Sequence, residues 1–300
     1  METDRQKSVL GVASVIGAAL FFSLNTPLAR LAYDGGSTPQ TVVFIRVVLC
    51  VIGISLFALL SGRRLALPRP AVLPVIGVAV FIVLQGMCYL SSIAYIPVGL
   101  AALLFYTFPV MVAVASRLVD GGVLGKPRII GFTAAFMGVA LAIGPSFDVL
   151  DWRGIALALA AAFFNMFVFL FSSRALRHTS SVAVALYGNL GSVPLLGLGL
   201  IIFGGFQLPE SDIGWAGLGG VAVFYTLAMV LHFTAIGMIG KTRSALMYNL
   251  EPLASIGAAA VLLGEVLEPL QYLGGAIIIM ALVLSDWWAG RRSIQKETDR

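Results

Sequence analysis

Runs of roughly 18 or more apolar residues follow one another from Val9 almost to the end of this chain, and only short polar breaks separate them. No single soluble core can bury that much apolar surface, so a bilayer has to act as the solvent. Composition agrees: of 300 residues 59% are hydrophobic and only 11% charged, and the mean hydropathy is +1.00. Breaking the chain at charged, Pro and Gly clusters predicts ten transmembrane helices. They run near Val9–Leu31, Gln40–Leu60, Ala71–Ala94, Val98–Val119, Pro127–Gly144, Trp152–Ala175, Ser180–Gly204, Ile213–Gly237, Thr242–Leu263 and Pro269–Trp288. The fold class is an all-α membrane protein, and no separate soluble domain fits between the spans. The 33 Gly suit it, because small residues let membrane helices approach closely. Val9–Leu31 is too long for the apolar region of a cleavable signal and reads as the first span. Cys50 and Cys88 both fall within spans and read as small buried apolar residues.

Charge orients the spans. Of 19 Lys and Arg, Arg46 lies inside a span and only Arg30 and Arg153 lie on one side. The rest, from Arg5 and Lys7 through Arg63, Arg64 and Arg69 to Arg291 and Arg292, lie on the other. Lys and Arg are retained on the cytoplasmic side, so both termini are predicted to be cytoplasmic. The opposite side carries Asp34, Asp148, Asp151, Glu210, Asp212, Glu265 and Glu268. The net charge of +5 is explained by this loop bias rather than by nucleic-acid binding.

The chain repeats itself at an offset of 143 residues, which carries Gly77-Val78-Ala79-Val80-Phe81 onto Gly220-Val221-Ala222-Val223-Phe224. Without a gap the same offset matches Gly11 to Gly154, Phe21 to Phe164, Ala102 to Ala245, Pro109 to Pro252 and Gly131 to Gly274. Residues 9–145 and 152–288 therefore read as two five-helix repeats. Five is odd, so the second repeat must sit upside down relative to the first. Inverted repeats are typical of secondary transporters, whose solute site lies near the bilayer midplane between the halves.

The first half carries Ala94-Tyr95-Ile96-Pro97-Val98-Gly99-Leu100-Ala101-Ala102, followed by Thr107-Phe108-Pro109-Val110. The second carries Gly240-Lys241-Thr242-Arg243-Ser244-Ala245, Glu251-Pro252, Gly264-Glu265, Gln271 and Gly274. Over nearly the whole chain these motifs resemble the drug/metabolite transporter superfamily of the EamA type. The first half departs from the pattern in having Gly122 opposite Glu265, which makes Glu265 a structural residue or loop cap. The resemblance implies ten helices, a cavity lined mainly by the first, third, fourth, sixth, eighth and ninth spans, and transport of amino acids or related metabolites, commonly outward. YddG-like bacterial exporters of aromatic and other neutral amino acids look closest in kind. A bacterial inner-membrane location is implied with them.

A residue about ten positions into a span lies near the middle of the ~30 Å hydrocarbon core. Asn25, Gln85, Asn165 and Tyr225 fall there on the first, third, sixth and eighth spans, so a ring of amide and phenol groups can meet at mid-depth. An amide in hydrocarbon must face another helix or a wet cavity. Interhelical hydrogen bonding is the competing role for each. Repeat-related pairs mark candidate gates at opposite ends of a path: Tyr89 with His232, Phe105 with Tyr248, and Tyr106 with Asn249. Aromatic rings are wide enough to occlude a pore and can stack on an apolar solute, although Tyr89 and Tyr106 also suit an interfacial belt.

Two ionisable residues lie within spans, Arg46 and Glu251. An intramembrane charge is a candidate functional site, and Glu251 is a candidate for binding a solute ammonium group or cycling a proton. Stabilising a broken helix end or pairing with another group competes in both cases. His232 is a candidate proton shuttle or a packing residue. Pro109 and Pro252, related by the repeat, are candidate hinges, because Pro removes a backbone donor and bends a helix.

A secondary transporter that exposes one site alternately to either side fits these features. No Walker A loop is present, so direct nucleotide-driven pumping is not expected, and no cofactor or metal is implied. An intramembrane enzyme is an alternative, but no HExxH or GxSxG pattern supplies its chemistry. A channel is another, against which the scattered intramembrane charges suggest no selective ring. The partners expected are a small solute and the lipid bilayer, not nucleic acid, and Gly274-Gly275 would permit self-association.

Overall fold

The computed structural model describes residues 2–60, 62, 65–120, 134, 137, 138, 141, 151–248, 250–264, 266, 268–270, 272–277 and 280. Ten helical elements are delimited among them: α1 (Glu2–Asp34), α2 (Pro39–Leu60), α3 (Arg69–Ser92), α4 (Val98–Phe105), α5 (Phe108–Asp120), α6 (Trp152–Ala175), α7 (Ser181–Phe203), α8 (Asp212–Ile239), α9 (Lys241–Met247) and α10 (Leu250–Leu263). Seven stretches among the described residues are long and apolar enough to cross a membrane, with α4 and most of α5 forming one of them. Most of the expected fifth span, Pro127–Gly144, and the end of the tenth, Pro269–Trp288, lie outside the described residues. So do Gly122, Asn249, Glu265 and Gln271.

Local chemistry sets the helix ends. Asp151, Ser180 and Ser211 cap α6, α7 and α8, each accepting a backbone N–H of the first turn with its side chain. Pro68 precedes α3, and Pro70 takes an early position where a missing N–H costs nothing. Gly204 and Gly240 end α7 and α8 with φ of 68° and 81°, a backbone conformation that Gly adopts without strain. At the end of α3 the carbonyls of Leu90 and Ile93 accept from Tyr33 Oη (3.1 Å) and Arg30 Nη1 (2.8 Å), which ties α1 to that end.

The two halves share helix boundaries at the 143-residue offset: α3 begins at Arg69 and α8 at Asp212, while α2 ends at Leu60 and α7 at Phe203. They also share a break. The expected fourth span is interrupted at Tyr106–Thr107, between α4 and α5, and the ninth around Tyr248, between α9 and α10. Pro109 and Pro252 follow in the first turn of the resuming helix. The absent Pro N–H cannot bond the carbonyl four residues back, which is where each ladder parts. Hydropathy stays high across both breaks, so composition alone shows a single span.

Packing is symmetric under exchange of the halves: α1 lies along α8 as α6 lies along α3, and α2 meets α8 as α7 meets α3. Gly11 and Gly154 permit two equivalent contacts. A Cβ on Gly11 would stand 2.6 Å from Ile239 Cγ2, and one on Gly154 would stand 2.7 Å from Ile96 Cγ2. The repeat-related helices α2 and α7 run antiparallel. The start of α2 meets the end of α7, where Thr38 Oγ1 donates to the Gly205 carbonyl and Gln207 N donates to Thr41 Oγ1 at 2.7 Å. At the other end, Tyr187 Oη donates to the Leu65 carbonyl at 2.9 Å. One face of the bundle thus gathers Asp34, Asp151, Glu210 and Asp212, and the opposite face Arg69, Arg174, Lys241 and Arg243.

Candidate functional site

A cavity lies where the halves meet, with about 630 Å³ of space between its atoms, open solvent at its mouth included. Each wall is one helical face at spacings of three and four residues. Phe22 and Asn25 come from α1, Ile82, Gln85 and Tyr89 from α3, Asn165, Val168 and Phe169 from α6, and Tyr225, Met229 and His232 from α8. The helix breaks add Phe105 and Phe108 from one half, and Tyr248 and Glu251 from the other. Many of these are repeat partners: Phe22 with Asn165, Ile82 with Tyr225, Tyr89 with His232, Phe105 with Tyr248 and Phe108 with Glu251. The cavity therefore lies on the axis that exchanges the halves.

Asn25, Gln85, Asn165 and Tyr225, expected at mid-depth, all line this space. Asn25 Nδ2 turns back to the Phe21 carbonyl at 3.1 Å, which leaves its buried Oδ1 without a partner. Tyr225 spends its hydroxyl on Asn189 Oδ1 at 3.0 Å and gives the cavity its ring. Asn189, fully buried, donates to the Ala185 carbonyl at 2.8 Å. It is absent from the sequence-derived candidates, as are Phe22, Phe108 and Phe169. For Asn189 a signal existed: the 143-residue offset pairs it with Arg46.

Rings bound the cavity at both ends. Toward the acidic face Tyr89 stacks on Phe105 with centroids 4.4 Å apart, and Phe105 meets Phe108 at 5.2 Å. Toward the basic face the repeat-related pair is joined by a hydrogen bond, His232 Nδ1 to Tyr248 Oη at 2.9 Å. Phe169 packs edge-on against His232 at 5.0 Å, and Phe22 lies 5.9 Å from it. Thus one ring pair is held by stacking and its counterpart by a polar contact. Tyr106 is buried behind this wall rather than on the cavity, and its hydroxyl approaches the Glu251 carboxyl without completing a hydrogen bond. Its repeat partner Asn249 is not among the described residues.

Arg46 and Glu251 both line the cavity and are 5% and 6% exposed. Neither has an opposite charge within 4.0 Å among the described residues, where the ion pair found is Arg30–Asp34. A buried guanidinium and a buried carboxyl with no opposite charge beside either are a costly arrangement that a charged or dipolar solute would relieve. Cys50 and Cys88 are free thiols. No three His, Cys, Asp or Glu side chains among the described residues are placed to hold a metal ion.

Residues 9–144 and 152–285 each match the model of the EamA-like transporter family. The chain is 24% identical over 291 residues to the uncharacterized transporter sll1319 of Synechocystis sp., covering 86% of this chain and 87% of that one. It is 26% identical over 243 residues to the uncharacterized transporter YdfC of Bacillus subtilis, covering 77% and 76%. A solved crystal structure shares the fold with a TM-score of 0.66 at 19% identity, over 94% of this chain and 98% of the other.

Proposed function

Because the chain belongs to the EamA-like transporter family, we propose that it is a secondary transporter that exports amino acids, neutral or aromatic, or related small metabolites by alternating access. It is a membrane transporter and not an enzyme, and its partners are a small-molecule solute and the lipid bilayer. In the full reading ten transmembrane helices form two inverted five-helix repeats, residues 9–145 and 152–288, in a bacterial inner membrane with both termini cytoplasmic.

One observation carries this reading: a cavity on the exchange axis, walled by aromatic rings and amides, with repeat-related ring pairs at its two ends. An inverted repeat has two equivalent ways of packing the same contacts, and exchanging them moves the open end from one face to the other. Asn25, Gln85, Asn165 and Tyr225 surround the solute. Tyr89 with Phe105, and His232 with Tyr248, close the two ends in turn. Glu251 receives an ammonium group or a proton, and the chain bends at the breaks beside Pro109 and Pro252.

Purified protein in liposomes, offered a panel of labelled neutral and aromatic amino acids, tests the reading. Saturable flux with counterflow is expected, because a carrier must return its site. Ion conductance near the diffusive limit without counterflow would make the protein a channel.

A further inference from the structure

The cavity holds a cation that the described residues do not neutralise. Arg46 lies on the inner side of α2 and lines the cavity, its Nε has no hydrogen-bond partner, and no carboxylate among the described residues stands within 4.0 Å of it. Three features aim the guanidinium. Its central carbon stands 4.4 Å from the centroid of the Tyr225 ring, whose π face attracts a cation. That ring is fixed in turn by the Tyr225–Asn189 hydrogen bond and by the bond from Asn189 to the Ala185 carbonyl. On the other side α3 offers Gly86, where a Cβ would stand 2.6 Å from Arg46 Nη2, so the group occupies space that a side chain would fill.

A guanidinium covered on one face still presents N–H donors at its edge, in a fork that matches the two oxygens of a planar anion. The surroundings, Phe22, Ile82 and the Tyr225 ring, suit an apolar body attached to that anion. We infer that Arg46 is a carboxylate subsite: it holds the anionic end of the transported solute, with Tyr225 and Asn189 as positioning residues and Gly86 as the space that admits the guanidinium. The inference rests on the transporter reading and narrows it to carboxylate-bearing solutes, which excludes simple amines and neutral amides.

The test uses the full-length protein in detergent, with thermal unfolding measured against three probes at matched ionic strength: sodium 3-phenylpropionate, its neutral amide, and inorganic phosphate. A ligand that binds only the folded state raises the midpoint as its concentration exceeds its Kd. The carboxylate is expected to raise it, and the amide and phosphate are not. Arg46→Gln should erase the carboxylate effect, and Arg46→Lys, which keeps the charge but not the fork, should retain only part of it. Gly86→Ala pushes against the flexible end of Arg46 and leaves the backbone alone. It should weaken apparent carboxylate affinity about tenfold or more while the ligand-free midpoint stays close to wild type. Asn189→Ala should narrow the preference for carboxylate over amide, an effect that a purely structural residue would not have.

Equal stabilisation by carboxylate and amide, or unchanged carboxylate affinity in Gly86→Ala, overturns the subsite, and the Gly86 variant decides the matter where Arg46→Gln fails to fold. Phosphate binding as tightly as 3-phenylpropionate overturns the carboxylate assignment. Counterflow in liposomes separates the two claims. Carboxylate binding without counterflow of the amino acids sinks the proposed amino-acid exchange by alternating access and leaves the subsite, whereas counterflow that ignores Arg46 sinks the subsite alone.

Discussion

Tyr248→Phe removes one oxygen from the basic end of the cavity and leaves every ring in place. That oxygen stands 2.9 Å from His232 Nδ1, both side chains are buried, and the neighbouring Phe22 and Phe169 offer no polar replacement. Losing such a bond leaves a ring nitrogen unpaired and costs about 1–3 kcal/mol. The edge-to-face contact of ring 248 with Phe169, at 6.2 Å, survives the change. When this end opens, water replaces the missing partner, so the cost falls on the shut state. A shift of about 1–2 kcal/mol lowers the shut-to-open ratio about 5- to 30-fold. The assay is alkylation of a cysteine at Val168, a cavity-lining position, in a background carrying C50A and C88A, with a membrane-impermeant reagent applied at the basic face. Labelling should accelerate by that factor. Adding His232→Gln should then contribute little, because the two residues form one latch. An unchanged labelling rate in Tyr248→Phe would refute the latch.

Asn165→Ala and Gln85→Ala should each lower flux without unfolding the protein in membranes, and unchanged flux in both would remove the amide ring as the solute site. Gly11→Val and Gly154→Val add side chains at equivalent crossings, and each should lower stability by about 1–3 kcal/mol. Thermal unfolding checks this, and a large loss in one with none in the other would break the symmetry argument. Glu251→Gln keeps the shape of the side chain and removes its titration, so any pH dependence of flux in the wild type should flatten. A variant that retains the full profile would clear Glu251 of that role.

What the sequence reveals follows from which physical signal each feature leaves. Apolar runs bounded by charged, Pro and Gly clusters place Trp152–Ala175 to the residue and Ser181–Phe203 within one, because the length of an apolar run and the breaks that bound it are local properties of the chain. The Asp151 and Ser180 caps found in the structure fall at those breaks. The break at Tyr106–Thr107 leaves no hydropathy signal, and only Pro109 betrays it. Mid-depth amides were legible because polarity in hydrocarbon is conspicuous, whereas the inward turn of Phe22, Phe108 and Phe169 was not, since a ring faces lipid, core or cavity with equal ease.

The deeper obstacle is that a repeat is found through identities while this cavity is made of differences. The offset that matches Gly11 to Gly154 and Pro109 to Pro252 locates the contacts and breaks the two halves share. The cavity's chemistry sits where they diverge: Phe108 is the equivalent of Glu251, Ile82 of Tyr225, and Arg46 of Asn189. A symmetric scaffold supplies two equivalent packings, but a solute with unlike ends needs unlike groups to hold it. Equivalent positions bearing chemically different side chains are therefore where such a site belongs. By that criterion Asn189 becomes visible from sequence, as the residue standing where the other half has its buried arginine, and the structure joins the two through the Tyr225 ring.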